Sequence, residues 1–162
     1  MAKRIFFADS REQVLNMMTE KLEKIGFDVL STTNGKEILR TLNVNNVPNL
    51  IVLEGGMADV DMPKICFEIK REKRFNNTPV LVVKEKHIED KPFLDVGIKE
   101  FLTRPCEVSQ LIERITGLIP GASRPAGPAR PGFPIAKIIM GLILAVFVII
   151  LIIGVVIPLF SS

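Results

Sequence analysis

A doubly wound α/β fold, with a five-stranded parallel sheet and helices on both faces, is predicted by three features of the sequence. Short apolar runs rich in β-branched and aromatic residues recur five times before residue 104. Segments whose apolar residues fall at three- and four-residue spacing lie between them. Four of the five runs stop at a charged residue: Asp9, Glu54, Lys84 and Arg104. A run that is apolar throughout fits a strand covered on both faces, and strand–helix alternation implies right-handed crossovers, which make the sheet parallel.

Each element can be justified in order. Lys3 to Ala8 (KRIFFA) is the first strand. Ser10 is placed to cap the following helix, with Gln13 at capping-box spacing, and Val14, Leu15, Met18, Leu22 and Ile25 form its apolar stripe until Gly26 ends it. Phe27 to Thr32 (FDVLST) is the second strand, and Asn34-Gly35 turns the chain into a short helix through Ile38, Leu39 and Leu42. Asn49 to Leu53 (NLIVL), introduced by Pro48 and closed by Glu54-Gly55-Gly56, is the most apolar run and is expected at the centre of the sheet. A helix from about Pro63 to Arg74 buries Ile65, Cys66 and Ile69 and exposes Lys64, Glu68, Arg71 and Glu72. Pro79 to Val83 (PVLVV) and Glu100 to Thr103 (EFLT) are the fourth and fifth strands, with room between them for a short helix interrupted by Pro92. The last helix carries Val108, Leu111, Ile112, Ile115 and Leu118.

Beyond residue 119 the composition changes. Residues 120–137 are rich in Pro and Gly and lack periodicity, as expected of a linker reaching roughly 25 Å as coil and at most ~60 Å extended. Ile138 to Ile157 (IIMGLILAVFVIILIIGVVI) contains no charge and has the roughly 20-residue length that spans a bilayer, so residues 138–158 are expected to cross a membrane, leaving a tail at 159–162. Its insertion free energy is of order −5 to −10 kcal/mol. Arg124, Arg130 and Lys137 precede it and no charge follows, which puts residues 1–119 on the cytoplasmic side of a tail-anchored, single-pass protein. Gly141 and Ala145 have a small-xxx-small spacing that can pair two such helices. The net charge of +3 resides in those three linker cations; upstream of them 18 basic residues face 18 acidic ones. A balanced domain excludes the clustered basic face of a nucleic-acid binder. Cys66 and Cys106 are isolated thiols, so neither a disulfide framework nor a metal site is indicated.

In a doubly wound sheet, functional residues gather at the carboxyl ends of the strands. Over residues 1–119 those ends resemble the receiver domain of bacterial response regulators: FFADS, LIVLEGGM, PVLVV, and Arg104 followed by Pro105. The resemblance implies a flavodoxin-like strand order, 2-1-3-4-5, and an acceptor site at Asp9, Ser10, Glu54, Lys84 and Arg104. It also implies a partner face around the fourth strand, the short helix and the last strand and helix, with Ile88, Phe93, Val108 and Leu111 as candidate neighbours. Each site position departs from the family pattern. Glu54 stands where an aspartate takes the phosphoryl group, and Asp9 keeps one of two Mg²⁺-binding acids, with Ser10 beside it. Lys84 replaces a hydroxyl and Arg104 a lysine. Lys84 and Arg104 could neutralise Asp9 and Glu54 without metal, either as a simple ion-pair network or with Glu54 holding an activated-like state.

The function expected is that of a degenerate receiver, not an enzyme, binding no cofactor and Mg²⁺ weakly or not at all. It would recruit signalling or membrane-complex proteins to the cytoplasmic face of a bacterial inner membrane. Two alternatives are a phosphorylation-competent receiver with an unusual acceptor such as Asp9, and a structural component assembled through Gly141 and Ala145. His87, Asp59 and Asp61 read as loop residues, and Gly55-Gly56 lacks a phosphate-loop lysine pattern.

Overall fold

The computed structural model describes residues 2–44 and 47–121. Apart from residues 120 and 121, the linker expected from the sequence lies outside the described residues, as do the apolar segment and the Gly141/Ala145 pair. Among the described residues, no helix is long and apolar enough to cross a membrane.

Five parallel strands form one sheet: β1 (Arg4–Ala8), β2 (Asp28–Thr32), β3 (Leu50–Glu54), β4 (Val80–Glu85) and β5 (Glu100–Arg104), in the order β2-β1-β3-β4-β5. The helices are α1 (Glu12–Lys24), α2 (Ile38–Val44), α3 (Met62–Arg71), α4 (Lys91–Asp95) and α5 (Val108–Leu118). The two-residue period of a strand divides the core. Phe6, Ala8, Ile51, Leu53 and Val82 pack with Ile38, Leu42, Cys66, Ile69 and Phe93 on one face of the sheet. Ile5, Phe7, Leu50, Val52 and Val83 pack with Leu15, Met18, Leu22, Leu111 and Ile115 on the other. Thus α2, α3 and α4 cover one face and α1 and α5 the other. Each fully buried aliphatic or aromatic side chain contributes about 1.5–3 kcal/mol by transfer.

Several local expectations are corrected. Ser10 does not cap α1, because its side chain is bonded to Glu54; Arg11 is the N-cap residue and makes no side-chain cap bond. Ile25 is 42 % exposed, since α1 ends at Lys24 and Gly26 takes the left-handed backbone (φ +95°) that turns the chain into β2. Asp61, not Pro63, sets the start of α3 by accepting from the Lys64 amide at 3.3 Å. That helix stops at Arg71 and not Arg74, because a 3₁₀ turn over Lys73–Phe75 swings Phe75 into the core. It buries Met62 with Cys66 and Ile69, leaving Ile65 partly buried. Pro92 lies in the first turn of α4 and starts that helix instead of interrupting it. Both β3 and β4 continue past the expected ends, so Glu54 and Lys84 belong to the strands themselves.

Candidate functional site

Parallel pairing in register brings the carboxyl ends of β1, β3 and β5 together, and with them Asp9, Glu54 and Arg104. Asp9 follows β1 directly and is 1 % exposed, and Arg104, the last residue of β5, is 8 % exposed. Their contact is 2.5 Å from Nη2 to Oδ2, and the other arm of the guanidinium reaches Glu54 Oε1 at 3.3 Å. One planar fork therefore bridges two carboxylates that would otherwise repel. The Arg104–Pro105 peptide is cis.

The second cation is Arg11, which sequence reasoning missed. Its side chain folds back on Asp9, with Nε 3.1 Å from Oδ1 and Nη2 3.2 Å from Oδ2, while its backbone N–H donates to Oδ1 at 3.0 Å. Nε also stands 3.8 Å from Glu54 Oε1. The available signal was the spacing: a turn after a strand end lets residue i+2 reach back to the carboxylate at i. Ser10 closes the remaining oxygen, since its N–H and its hydroxyl donate to Glu54 Oε2 at 2.7 and 2.5 Å. Burial pushes the Asp9 carboxyl up, but the Arg11 hydrogen bonds and the Arg104 charge outweigh that and hold it below its ordinary value. The Arg11 guanidinium is correspondingly stabilised in its charged form, chiefly by its hydrogen bond to Asp9.

Lys84 does not join this network, contrary to the sequence expectation. Its Nζ donates to the Ile88 carbonyl at 2.6 Å and pairs with Asp90 Oδ1 at 2.9 Å. The ammonium, only 7 % exposed, staples the end of β4 to the connection leading into α4. Asp90, six residues away in an acidic stretch, was the unrecognised partner. The site is nevertheless neutral, with Arg11 in the role foreseen for Lys84.

Mg²⁺ requires six oxygen ligands with lone pairs free to face it. At this site each of the four carboxylate oxygens of Asp9 and Glu54 already accepts from an N–H or O–H donor, and Arg104 occupies the space between them. The donor set as arranged does not fit a divalent cation.

The expected partner face is only partly at the surface. Phe93 (1 % exposed) and Leu111 (4 %) point into opposite halves of the core, because each lies on the sheet-facing stripe of its helix, so they are removed from the set of contact residues. Ile88 and Val108 are half-buried, and Leu94, which the sequence did not single out, is 52 % exposed on α4. His87 and Asp59 are exposed loop residues, and Asp61 is committed to capping α3. Cys66 is in the core, where burial pushes its thiol up to about 12 despite nearby Lys70; Cys106 is half-buried beside the site.

Comparisons with known proteins agree with this fold. The family model of the response regulator receiver domain matches residues 5–116. The alkaline phosphatase synthesis transcriptional regulatory protein PhoP of Bacillus subtilis is 24 % identical over 119 residues, which cover 74 % of this chain and 49 % of PhoP. The DNA-binding dual master transcriptional regulator RpaA of Synechocystis is 29 % identical over 118 residues, covering 72 % of this chain and 48 % of RpaA. The chain thus spans about half the length of the curated relatives it matches. Among solved structures, the receiver domain of a Francisella response regulator superposes with a TM-score of 0.62 at 25 % identity, over 72 % of this chain and 95 % of that one.

Proposed function

The chain belongs to the response regulator receiver domain family, a signalling module, and from that premise we propose that it signals without phosphotransfer, as a docking module tethered to the cytoplasmic face of a bacterial membrane. The observation that carries this reading is the closed acceptor site. Phosphoryl transfer to a carboxylate needs an open oxygen, a metal to neutralise the incoming charge and a hydroxyl or ammonium to position it. Here Glu54 has one oxygen on Arg104 and the other on Ser10, and Asp9 is buried between two guanidiniums. Arg104 supplies permanently the positive charge that a metal would lend. The domain accordingly binds Mg²⁺ weakly or not at all, catalyses nothing, and presents one fixed surface to its partners.

The tether is supported by the uncharged segment Ile138–Ile157 and the three linker cations before it. Protein partners are favoured by the balance of 18 basic and 18 acidic residues upstream of that linker. Leu94, Ile88 and Val108 are the side chains we assign to the partner-facing surface. Intact-mass measurement after incubation with a small phosphodonor and Mg²⁺ tests the chemistry, with no adduct expected. A stoichiometric phosphate adduct on the unaltered protein would overturn this reading in favour of a phosphorylation-competent receiver. Glu54→Asp alone should remain unlabelled, because Arg104 and Arg11 still occupy Asp9. Combining it with Ser10→Asp, Arg11→Ala, Lys84→Thr and Arg104→Lys, which also clears the Arg11 side chain from Asp9, should restore metal binding and labelling.

A further inference from the structure

The opposite end of the sheet, where β1, β3 and β4 begin, carries a second concentration of charge. A cleft of about 630 Å³ there is lined by Lys3, Lys70, Arg74, Asn76, Leu118 and Pro120 among others. Lys3, Lys70 and Lys73 have no carboxylate partner among the described residues, although the Lys70 ammonium donates to the Thr78 carbonyl at 3.4 Å; of the acids at this end, Asp28 pairs with Arg4 at 2.5 Å and Glu72 stands 4.0 Å from Arg74. Burial holds the Lys70 ammonium below its usual value, a cost that a neighbouring anion would offset. Arg74 donates to the Leu42 and Asn43 carbonyls at 2.9 and 3.3 Å, which fixes the end of α2 beside the cleft. The Asp28 amide donates to the Lys3 carbonyl at 2.9 Å and fixes the α1–β2 turn beside it. Those two attachments bring Ile25 (42 % exposed), Val44 (78 %) and Val47 (42 %) to the same end, half of the six exposed large apolar side chains among the described residues. The chain also leaves the domain here, since Leu118 closes α5 and lines the cleft, and the next three charges in sequence, Arg124, Arg130 and Lys137, are all basic.

Lysines without a carboxylate partner, interspersed with exposed aliphatic side chains, match an anionic bilayer surface, where lysine ammoniums meet headgroup phosphates and apolar groups enter the interfacial layer. We infer that this end of the domain docks on anionic lipid headgroups through Lys3, Lys70 and Lys73, with Ile25, Val44 and Val47 against the interface, so that Asp9 and Glu54 face away from the membrane. The inference rests on the membrane-tether reading and adds an orientation to it.

Full-length protein reconstituted in phosphatidylcholine vesicles, with or without added phosphatidylglycerol, provides the test, read by hydrogen exchange of the amides at 24–27 and 72–78. Exchange there should be about tenfold slower on the anionic vesicles, the scale set by a few lysines near a charged surface. That difference should vanish in ~1 M salt, where the screening length falls to about 3 Å. The double variant Lys3→Glu, Lys73→Glu should abolish it while leaving exchange of the β3 amides unchanged, which controls for folding. Equal exchange on both lipids with the chain inserted would overturn the docking. Extraction of the chain from both lipids by alkaline carbonate would instead overturn the tether, and salt-sensitive protection on the anionic vesicles would still decide the docking.

Discussion

At the residue scale, Arg104 is the side chain on which the site depends. Its partner Asp9 is 1 % exposed, so removing the guanidinium leaves a buried carboxylate with Arg11 as its remaining cation. Breaking a buried pair from one side typically costs about 3–5 kcal/mol, and Arg104→Met should lie in that range at neutral pH, measured by urea unfolding. The pH dependence follows from Asp9, whose carboxyl is pushed up by burial but held below its ordinary value of 3.8 by Arg11 and Arg104. A depressed folded pKa contributes stability that is fully present above the unfolded value, about 3.9, and lost as the pH falls through the folded one. The gap between wild type and Arg104→Met should therefore narrow below about pH 4 as Asp9 protonates. A cost that stays the same from pH 7 to pH 3 would mean that Arg104 acts by packing and not by charge.

The corresponding device at the scale of an element is the Lys84 staple between β4 and α4. Its Nζ satisfies the Ile88 carbonyl at 2.6 Å and binds Asp90 at 2.9 Å, and α4 is a short helix of 5 residues anchored in the core by Phe93. Lys84→Met keeps the aliphatic stem and removes both bonds. The amides of 86–91 should then exchange faster by about tenfold or more, since hydrogen bonds to charged groups contribute about 1.5–3 kcal/mol. Amides in β3 should be unaffected. Uniform acceleration across the sheet would show instead that Lys84 supports global stability.

For the whole molecule, the question is how the domain is held at a membrane. If residues 138–157 span it with an insertion free energy of order −5 to −10 kcal/mol, one Lys at about +2.5 to +3.5 cannot cancel that. Val148→Lys should leave most of the protein in the membrane fraction, and adding Ile150→Arg should release most of it. Complete release by the single change would place the insertion free energy well below this range. Truncation after Ile119 should release the domain from neutral membranes while retaining salt-sensitive binding to anionic ones, as expected if the lysine-rich end itself meets lipid.

The strands, their order in the chain and the identity of the site's acids were legible because the interior of a parallel sheet demands uninterrupted apolar runs, and IFFA, LIVL and VLVV meet that demand wherever the helices pack. Asp9, Glu54 and Arg104 were legible for a related reason: strand ends are where charge can first return after such a run. Which cation meets which acid was decided by tertiary structure. Lys84 and Arg104 lie near the ends of neighbouring strands, and nothing in their spacing separates them, yet only the fork of Arg104 lies between Asp9 and Glu54, while Lys84 turns to the β4–α4 connection. The local spacing of Ser10 and Gln13 suggests a helix cap, but a carboxylate arriving from β3, 44 residues on from Ser10, offers Ser10 a stronger acceptor. Phe93 and Leu111 are placed near a partner face by the family resemblance, whereas the side chains' burial depends on which face of the sheet each helix packs against. Side-chain partners across 40 to 95 residues depend on the register of the sheet, which is a property of the folded chain and of no local window.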